Sequence, residues 1–138
     1  MEQRPLFGFR LPSGRHWRII RLMPNAPLTV VELPLFLRLA KGIWDDGERE
    51  AFVDFIARNP EAGDVIPATS GVRKVRWQRQ GSGKRGGTRV IYFYHDARMP
   101  LFLILVYSKA RQADMTPEQK KQVAALAVEL RRDYRQKG

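Results

Sequence analysis

The residues best suited to chemistry in this sequence are cations concentrated in one segment. Residues 71–94 contain seven basic side chains and no acidic one: Arg73, Lys74, Arg76, Arg79, Lys84, Arg85 and Arg89. If 72–79 forms a β-strand, Lys74 and Arg76 point to one face of the sheet. Arg73 and Arg79 then point to the other face. A concentrated basic patch attracts polyanions, so we expect this segment to bind phosphate groups.

Later residues could join this patch if the following strands pair in an antiparallel sheet. Arg89 opens the next predicted strand, whereas Tyr107 and Lys109 close the last one. Antiparallel pairing would gather these side chains into a cationic surface that contains a tyrosine. Such a surface suits RNA, with cations for the phosphates and an aromatic face for a base. For Trp77, Tyr92 and Tyr94, by contrast, we favour packing in the core.

The glycine-rich segment GSGKRGG, residues 81–87, satisfies the pattern GxGxxG. The dinucleotide fingerprint, however, needs a helix directly after the glycines, and residues 88–95 are predicted to form a strand. The segment also lacks the first glycine and the final Ser or Thr of a P-loop. Lys84 and Arg85 therefore either lie at a solvated hairpin tip or contact phosphate. The distribution of charge favours phosphate contact.

The composition restricts the class of protein. The chain has 138 residues, a mass of 16.0 kDa and a formal charge of +11, which fits one domain. It has no cysteine, and its two histidines are too few and too far apart for a zinc cage, so we expect neither a metal site nor a cofactor. No apolar run approaches the ~20 residues that cross a bilayer. We therefore expect a cytoplasmic protein with no membrane partner.

Residues 1–22 form a basic N-terminal extension with five arginines and one glutamate. Arginines interrupt every apolar stretch that could serve as a secretory signal. Two interpretations stay open: the extension comes from a start codon upstream of Met23, or it is a basic arm that contacts RNA. We therefore divide the chain into this extension, 1–22, and a working domain, 23–138.

The elements that must position the cations follow an α+β order. The predicted strands are 28–32, 72–79, 88–95 and 101–108. One helix begins at Pro34, a second is capped by Asp45 or Asp46 and ends at Asn59, and a last one is capped by Thr116 with Pro117 at its first position. We therefore predict a small α+β domain: a mostly antiparallel sheet of three to four strands with two N-terminal helices and one C-terminal helix.

Several runs of residues, taken in order, resemble a known family. They are 59–67 (NPEAGDVIP), 71–76 (GVRKVR), 81–92 (GSGKRGGTRVIY), 105–109 (LVYSK) and 114–121 (DMTPEQKK). Together they resemble the HigB branch of the RelE/ParE toxin superfamily over about residues 28–136. Linked motifs in order are more specific than any one of them. One departure is ATSG at 68–71, where that branch usually has GTGG.

The resemblance implies a RelE-like toxin of a type II toxin-antitoxin pair that acts as an endoribonuclease on mRNA in the ribosomal A site. Its cognate antitoxin would be a helix-turn-helix protein. By strand position, the family's basic site residues correspond to Lys74, Arg76, Arg89 and Lys109. For the family's tyrosine the candidate is Tyr107, with Tyr134 as the competitor. The proposed RNA-binding residues are Arg73 and Arg79, together with Lys84 and Arg85 of the branch's loop.

Such cleavage needs no metal, because RNA carries its own nucleophile, the 2′-hydroxyl. Arginines can stabilise the charge that builds on the phosphoryl oxygens. Lys74, crowded by other cations, is a candidate general base, and Tyr107 could stack on a base or aid proton transfer. The alternative is a protein that cleaves nothing: a gyrase inhibitor of the ParE side of the superfamily, or a small basic RNA-binding protein. Cations clustered around one phosphate favour the nuclease.

Overall fold

The computed structural model describes residues 27–78 and 87–137, and only the backbone of 135–137. Its elements are β1 (Val30–Glu32), α1 (Pro34–Ala40), α2 (Asp46–Arg58), β2 (Asp64–Val65), β3 (Val72–Trp77), β4 (Thr88–Phe93), β5 (Leu101–Ser108) and α3 (Pro117–Lys137). The predicted α+β fold class is confirmed. The extension 1–22 and three predicted site residues lie outside the described residues, and those three are Arg79, Lys84 and Arg85.

The described strands form one five-stranded sheet in the order β1-β5-β4-β3-β2, against the three to four strands expected. β1 pairs in parallel with β5, and the other pairings are antiparallel. The strand that the sequence did not indicate is β2, whose residues Asp64 and Val65 pair with Lys74 and Arg73 of β3. Two residues are too few to show an alternating pattern.

Local signals begin the helices where the sequence predicts them. Asp45 caps α2, because its side chain accepts a hydrogen bond from the backbone N–H of Glu48 at 2.8 Å. Thr116 and Gln119 form a capping box at α3, in which each side chain accepts a hydrogen bond from the other's backbone N–H at 3.0 Å. Both predicted helix starts are confirmed.

Helices cover both faces of the sheet, which we call the α2 face and the α3 face. α2 packs on the first through residues such as Phe52, and α3 packs on the second through Leu126 and Leu130. Tyr92 is completely buried on the α2 face, where Trp77 contacts Phe52 with ring centroids 5.3 Å apart. Their predicted place in the core is confirmed. Within the part of the chain that is described, no helix is both long and apolar enough to cross a membrane.

One irregularity in β5 decides which face its later residues share. Leu103 and Leu105 pair with consecutive residues of β4, so Ile104 between them is an extra residue, a β-bulge. Because side chains alternate between faces, one extra residue reverses the face of every residue that follows. The bulge therefore turns Tyr107 to the α3 face, where it joins the core beneath α3.

Candidate active site

A row of three side chains crosses the middle of the sheet on the α3 face. Arg76 of β3 lies directly opposite Arg89 of β4, and Arg89 lies directly opposite Tyr107 of β5. We call these three residues the cationic row. Residues directly opposite each other point to the same face, with their Cβ atoms about 4.5–5.5 Å apart. Two like charges in this arrangement destabilise a sheet, and an anion bound between them would offset that effect.

Lys74 lies two residues before Arg76 and on the same face of β3. Its Nζ atom is 3.4 Å from Oδ1 of Asp114, which lies in the turn before α3. The hydroxyl of Tyr107 donates to the same oxygen over 3.3 Å. The fold thus adds to the predicted cations around Lys74 a carboxylate from 40 residues further along the chain.

Asp114 is the site residue that sequence reasoning missed, although it lies in a motif that resembles the family. Its Oδ1 atom accepts a third hydrogen bond, from the backbone N–H of Met115 at 2.8 Å. That bond is the main cause that lowers the pKa of the Asp114 carboxyl; Lys74 lowers it further and burial opposes both. The group is therefore a carboxylate at neutral pH. Its side chain is 65% exposed.

Tyr107 combines a buried ring with a hydroxyl that reaches the site. The residue is only 6% exposed. Burial raises the pKa of Tyr107 to about 12; the Asp114 carboxylate adds to the rise and Arg89 opposes it. At neutral pH Tyr107 is thus a neutral hydroxyl that donates hydrogen bonds, so it is suited to give a proton and not to take one.

The other two residues expected at the site lie on α3 and just beyond β5. Tyr134 packs against the core from the far part of α3, about 25 Å from the first residue of that helix at a rise of about 1.5 Å per residue. Lys109 is exposed just beyond β5, and its backbone N–H donates to the carbonyl of Gly87 at 3.2 Å. Of the two candidate tyrosines, Tyr107 is the one that lies directly opposite Arg89 and shares the Asp114 carboxylate with Lys74.

Arg73 is not brought to this cluster. It points to the α2 face, where its guanidinium donates to the carbonyl of Gly63 at 2.7 Å and reaches that of Glu61 at 3.5 Å. The Tyr92 hydroxyl binds the same loop: it accepts from the N–H of Gly63 and donates to the carbonyl of Pro60, both at 2.8 Å. Arg73 and Tyr92 thus fasten the loop that precedes β2, and the RNA-binding role of Arg73 stays a prediction.

A groove of about 920 Å³ adjoins the cationic row at the end of the sheet. Tyr107 lines it, together with the aromatic side chains of Trp44 and Trp77 and the surface cations Arg38 and Arg111. Tyr107 therefore belongs to both the row and the groove. Within residues 27–78 and 87–137, no group of three or more His, Asp or Glu side chains is placed to hold a metal ion.

A comparison with known protein families identifies the family of this chain. Residues 61–137 match the family described as the RelE toxin of the RelE/RelB toxin-antitoxin system, so the chain belongs to the RelE toxin family. Among solved structures, it is similar to a mutant of the E. coli toxin RelE in the free state, with 14% sequence identity and a TM-score of 0.48. That similarity covers 75% of this chain and 97% of the other. The resemblance seen in the sequence is confirmed for the RelE toxins, and the HigB branch stays a prediction.

Proposed function

We propose that this protein is the toxin of a type II toxin-antitoxin pair and that it cleaves mRNA in the ribosomal A site, as an endoribonuclease of the HigB branch. Membership of the RelE toxin family supports the toxin assignment. The observation that carries the nuclease is the placement of Arg76 directly opposite Arg89, with the Tyr107 hydroxyl next in the same row. Two opposed arginines beside a proton donor suit a phosphate whose charge increases during a reaction.

The reaction that fits these groups is attack by the 2′-oxygen of the RNA on the adjacent phosphorus. The new O2′–P bond forms as the P–O5′ bond breaks, which leaves a cyclic phosphate and a 5′-hydroxyl. Arg76 and Arg89 would stabilise the charge on the non-bridging oxygens. Lys74, in its neutral amine form, is the candidate to take the proton from the 2′-hydroxyl, and Tyr107 is the candidate to give one to the departing 5′-oxygen. No step in this scheme uses a metal ion.

Lys109, just beyond β5, is proposed as a further catalytic residue. The proposed RNA-binding residues are Arg79, Lys84 and Arg85, together with Arg73, which lies on the opposite face of the sheet and would contact a different stretch of the RNA from the reacting phosphate. The groove beside Tyr107 is lined by the exposed arginines Arg38 and Arg111, which suit the phosphates of single-stranded RNA. The proposed partners are the ribosome with its mRNA and a helix-turn-helix antitoxin, and the proposed location is the cytoplasm. An acidic antitoxin segment would complement the charge of the site.

The test is induced expression of the full chain in a bacterium, with growth followed and the 5′ ends of an abundant mRNA mapped by primer extension. We expect growth arrest and new mRNA ends in frame with the codons. Arg89→Ala should abolish both. Arg98→Ala is the matched control, because Arg98 is an exposed arginine that pairs with Asp96 at 3.4 Å, outside the cationic row. It should leave arrest and cleavage unchanged.

Other outcomes would refute the nuclease in distinguishable ways. Growth arrest with intact mRNA would indicate a gyrase inhibitor of the ParE kind. The absence of arrest, with a folded and expressed protein, would favour a small basic RNA-binding protein. If Arg89→Ala remains folded by circular dichroism and still produces the same mRNA ends, the assignment of the site is wrong.

A further inference from the structure

Asp114 occupies a position among the donors of the site that suits a phosphate oxygen. Its Oδ1 atom lies 3.4 Å from the ammonium of Lys74, 3.3 Å from the hydroxyl of Tyr107 and 2.8 Å from the backbone N–H of Met115. Lysine, tyrosine hydroxyl and backbone N–H groups are donors with which proteins bind the phosphates of nucleic acids. The free protein therefore already holds an anion in its cationic site, and that anion is its own side chain.

The contacts of this carboxylate with the site are weak ones. Both side-chain contacts are longer than the usual 2.7–2.9 Å or so of a charge-assisted hydrogen bond. The side chains of Lys74 and Asp114 are 37% and 65% exposed, and exposed ion pairs contribute little to stability. A rotation about the side-chain torsions of Asp114 would release Lys74 and Tyr107 without any change to the sheet.

We propose that Asp114 is an internal competitor for the phosphate site: its carboxylate holds Lys74 and Tyr107 in the free protein, and the phosphate of a substrate must displace it. The identity of that substrate rests on the proposed function, whereas the competition concerns the protein's own groups. The consequence is a low affinity for free polyanions. RNA that is held in place by another body, as it is on a ribosome, is favoured over RNA that diffuses freely.

The alternative is that Asp114 positions Lys74 and Tyr107 for the reaction. Two observations favour competition. The carboxylate is held most closely by its neighbour's backbone N–H rather than by either functional side chain. Tyr107 is already fixed by burial of its ring in the core, so it needs no exposed carboxylate to orient it.

The test is to remove the charge of Asp114 while keeping its shape. Asp114→Asn retains an oxygen that accepts from Met115 and Tyr107, so it is expected to fold as the wild type does. Asp54→Asn is the matched control: Asp54 is 71% exposed on α2 and pairs with Arg58 at 3.4 Å, so the change in net charge and the length of the broken ion pair are the same. Both variants are made in the full chain.

Two probes are used at low salt: an RNA oligonucleotide with 2′-O-methyl groups, which cannot be cleaved by its own 2′-oxygen, and inorganic pyrophosphate. Removing one negative charge about 5 Å from a bound anion at an exposed site should tighten binding by about fivefold. We expect this gain for both probes with Asp114→Asn and no gain with Asp54→Asn. On cleavable RNA, Asp114→Asn should lower KM.

Three results would overturn the competition. Unchanged binding of both probes by Asp114→Asn would show that the carboxylate does not compete. Weaker binding, or a reduced rate at saturating RNA, would show that Asp114 positions the site instead. An equal gain with Asp54→Asn would assign the effect to net charge alone.

Pyrophosphate separates this proposal from the proposed function. If Asp114→Asn binds pyrophosphate more tightly but no form of the protein cleaves RNA, the proposal that Asp114 competes with phosphate is supported and the proposed nuclease activity is refuted. If the protein cleaves RNA while Asp114→Asn binds both probes as the wild type does, the proposed nuclease activity is supported and the proposal that Asp114 competes with phosphate is refuted.

Discussion

Replacing Tyr92 with Phe isolates the contribution of one buried hydroxyl to the stability of the domain. This hydroxyl joins β4 to the loop before β2, through the N–H of Gly63 and the carbonyl of Pro60, both at 2.8 Å. Phe retains the ring and its packing against the α2 face. The substitution therefore removes two hydrogen bonds and leaves the two backbone groups without that partner.

The size of the effect follows from the burial of those two groups. A hydrogen bond contributes about 1 kcal/mol net, and a buried donor left unsatisfied costs about 1–3 kcal/mol. Gly63 is buried, whereas Pro60 is partly exposed and can bind water. We therefore expect Tyr92→Phe to lower the free energy of unfolding by about 2–3 kcal/mol.

The assay is equilibrium unfolding in urea, followed by tryptophan fluorescence, with Tyr107→Phe as the matched control. Tyr107 is also a buried tyrosine of the sheet, but its hydroxyl contacts an exposed carboxylate at 3.3 Å, so its loss should cost less than about 1 kcal/mol. The effects on the rate of RNA cleavage should be in the opposite order: Tyr107→Phe should lower this rate by about 100-fold, more than Tyr92→Phe does. If the free energy of unfolding of Tyr92→Phe lies within about 0.5 kcal/mol of the wild-type value, the reasoning is refuted.

Three further substitutions or titrations test other parts of the structure. Gly63→Ala should destabilise the domain by about 3 kcal/mol, because an added Cβ would lie 2.8 Å from the carbonyl oxygen of Lys74; a wild-type urea midpoint would contradict this. Ala68→Gly should stabilise it by about 1 kcal/mol, because Ala68 has a φ of 61° in the left-handed region; a lower urea midpoint would count against that strain. Tyr107 should ionise at a pH of about 12 in an ultraviolet difference titration between the wild type and Tyr107→Phe. Because that pKa is raised above the ~10 of an unfolded tyrosine, its contribution to stability is present below pH ~10 and is lost as the pH rises through the folded value. A Tyr107 midpoint near ~10 would contradict the burial argument.

Local signals predicted most of the fold. The starts of α2 and α3 depend on side chains within three residues of each helix end, such as Asp45 and Thr116. These helix starts can therefore be predicted without knowledge of tertiary contacts. β2 was missed because its two residues gain their strand conformation only from pairing with β3. The departure from GTGG at 68–71 has a structural consequence, since Ala68 and Ser70, which replace two of the glycines, both adopt the positive φ that glycine favours.

The candidate site was predictable in part. Alternation along β3 places Lys74 and Arg76 on one face and Arg73 on the other, and the structure agrees. What Arg73 does on its face was not predictable, because its partners are loop carbonyls that approach only when β2 pairs with β3. Arg79 and the loop that contains Lys84 lie outside the described residues, so their roles stay predictions.

The sequence by itself determined which side chains carry charge, where the helices begin and which residues of β3 share a face, because each of these depends on neighbours in the chain. Only the tertiary structure decided that Arg76, Arg89 and Tyr107 form one row and that Asp114 reaches it. Strict alternation from Leu103 would turn Tyr107 to the α2 face, and the bulge at Ile104 reverses it. The physical reason is that strand register and the approach of α3 are set by pairing and packing between segments far apart in the chain.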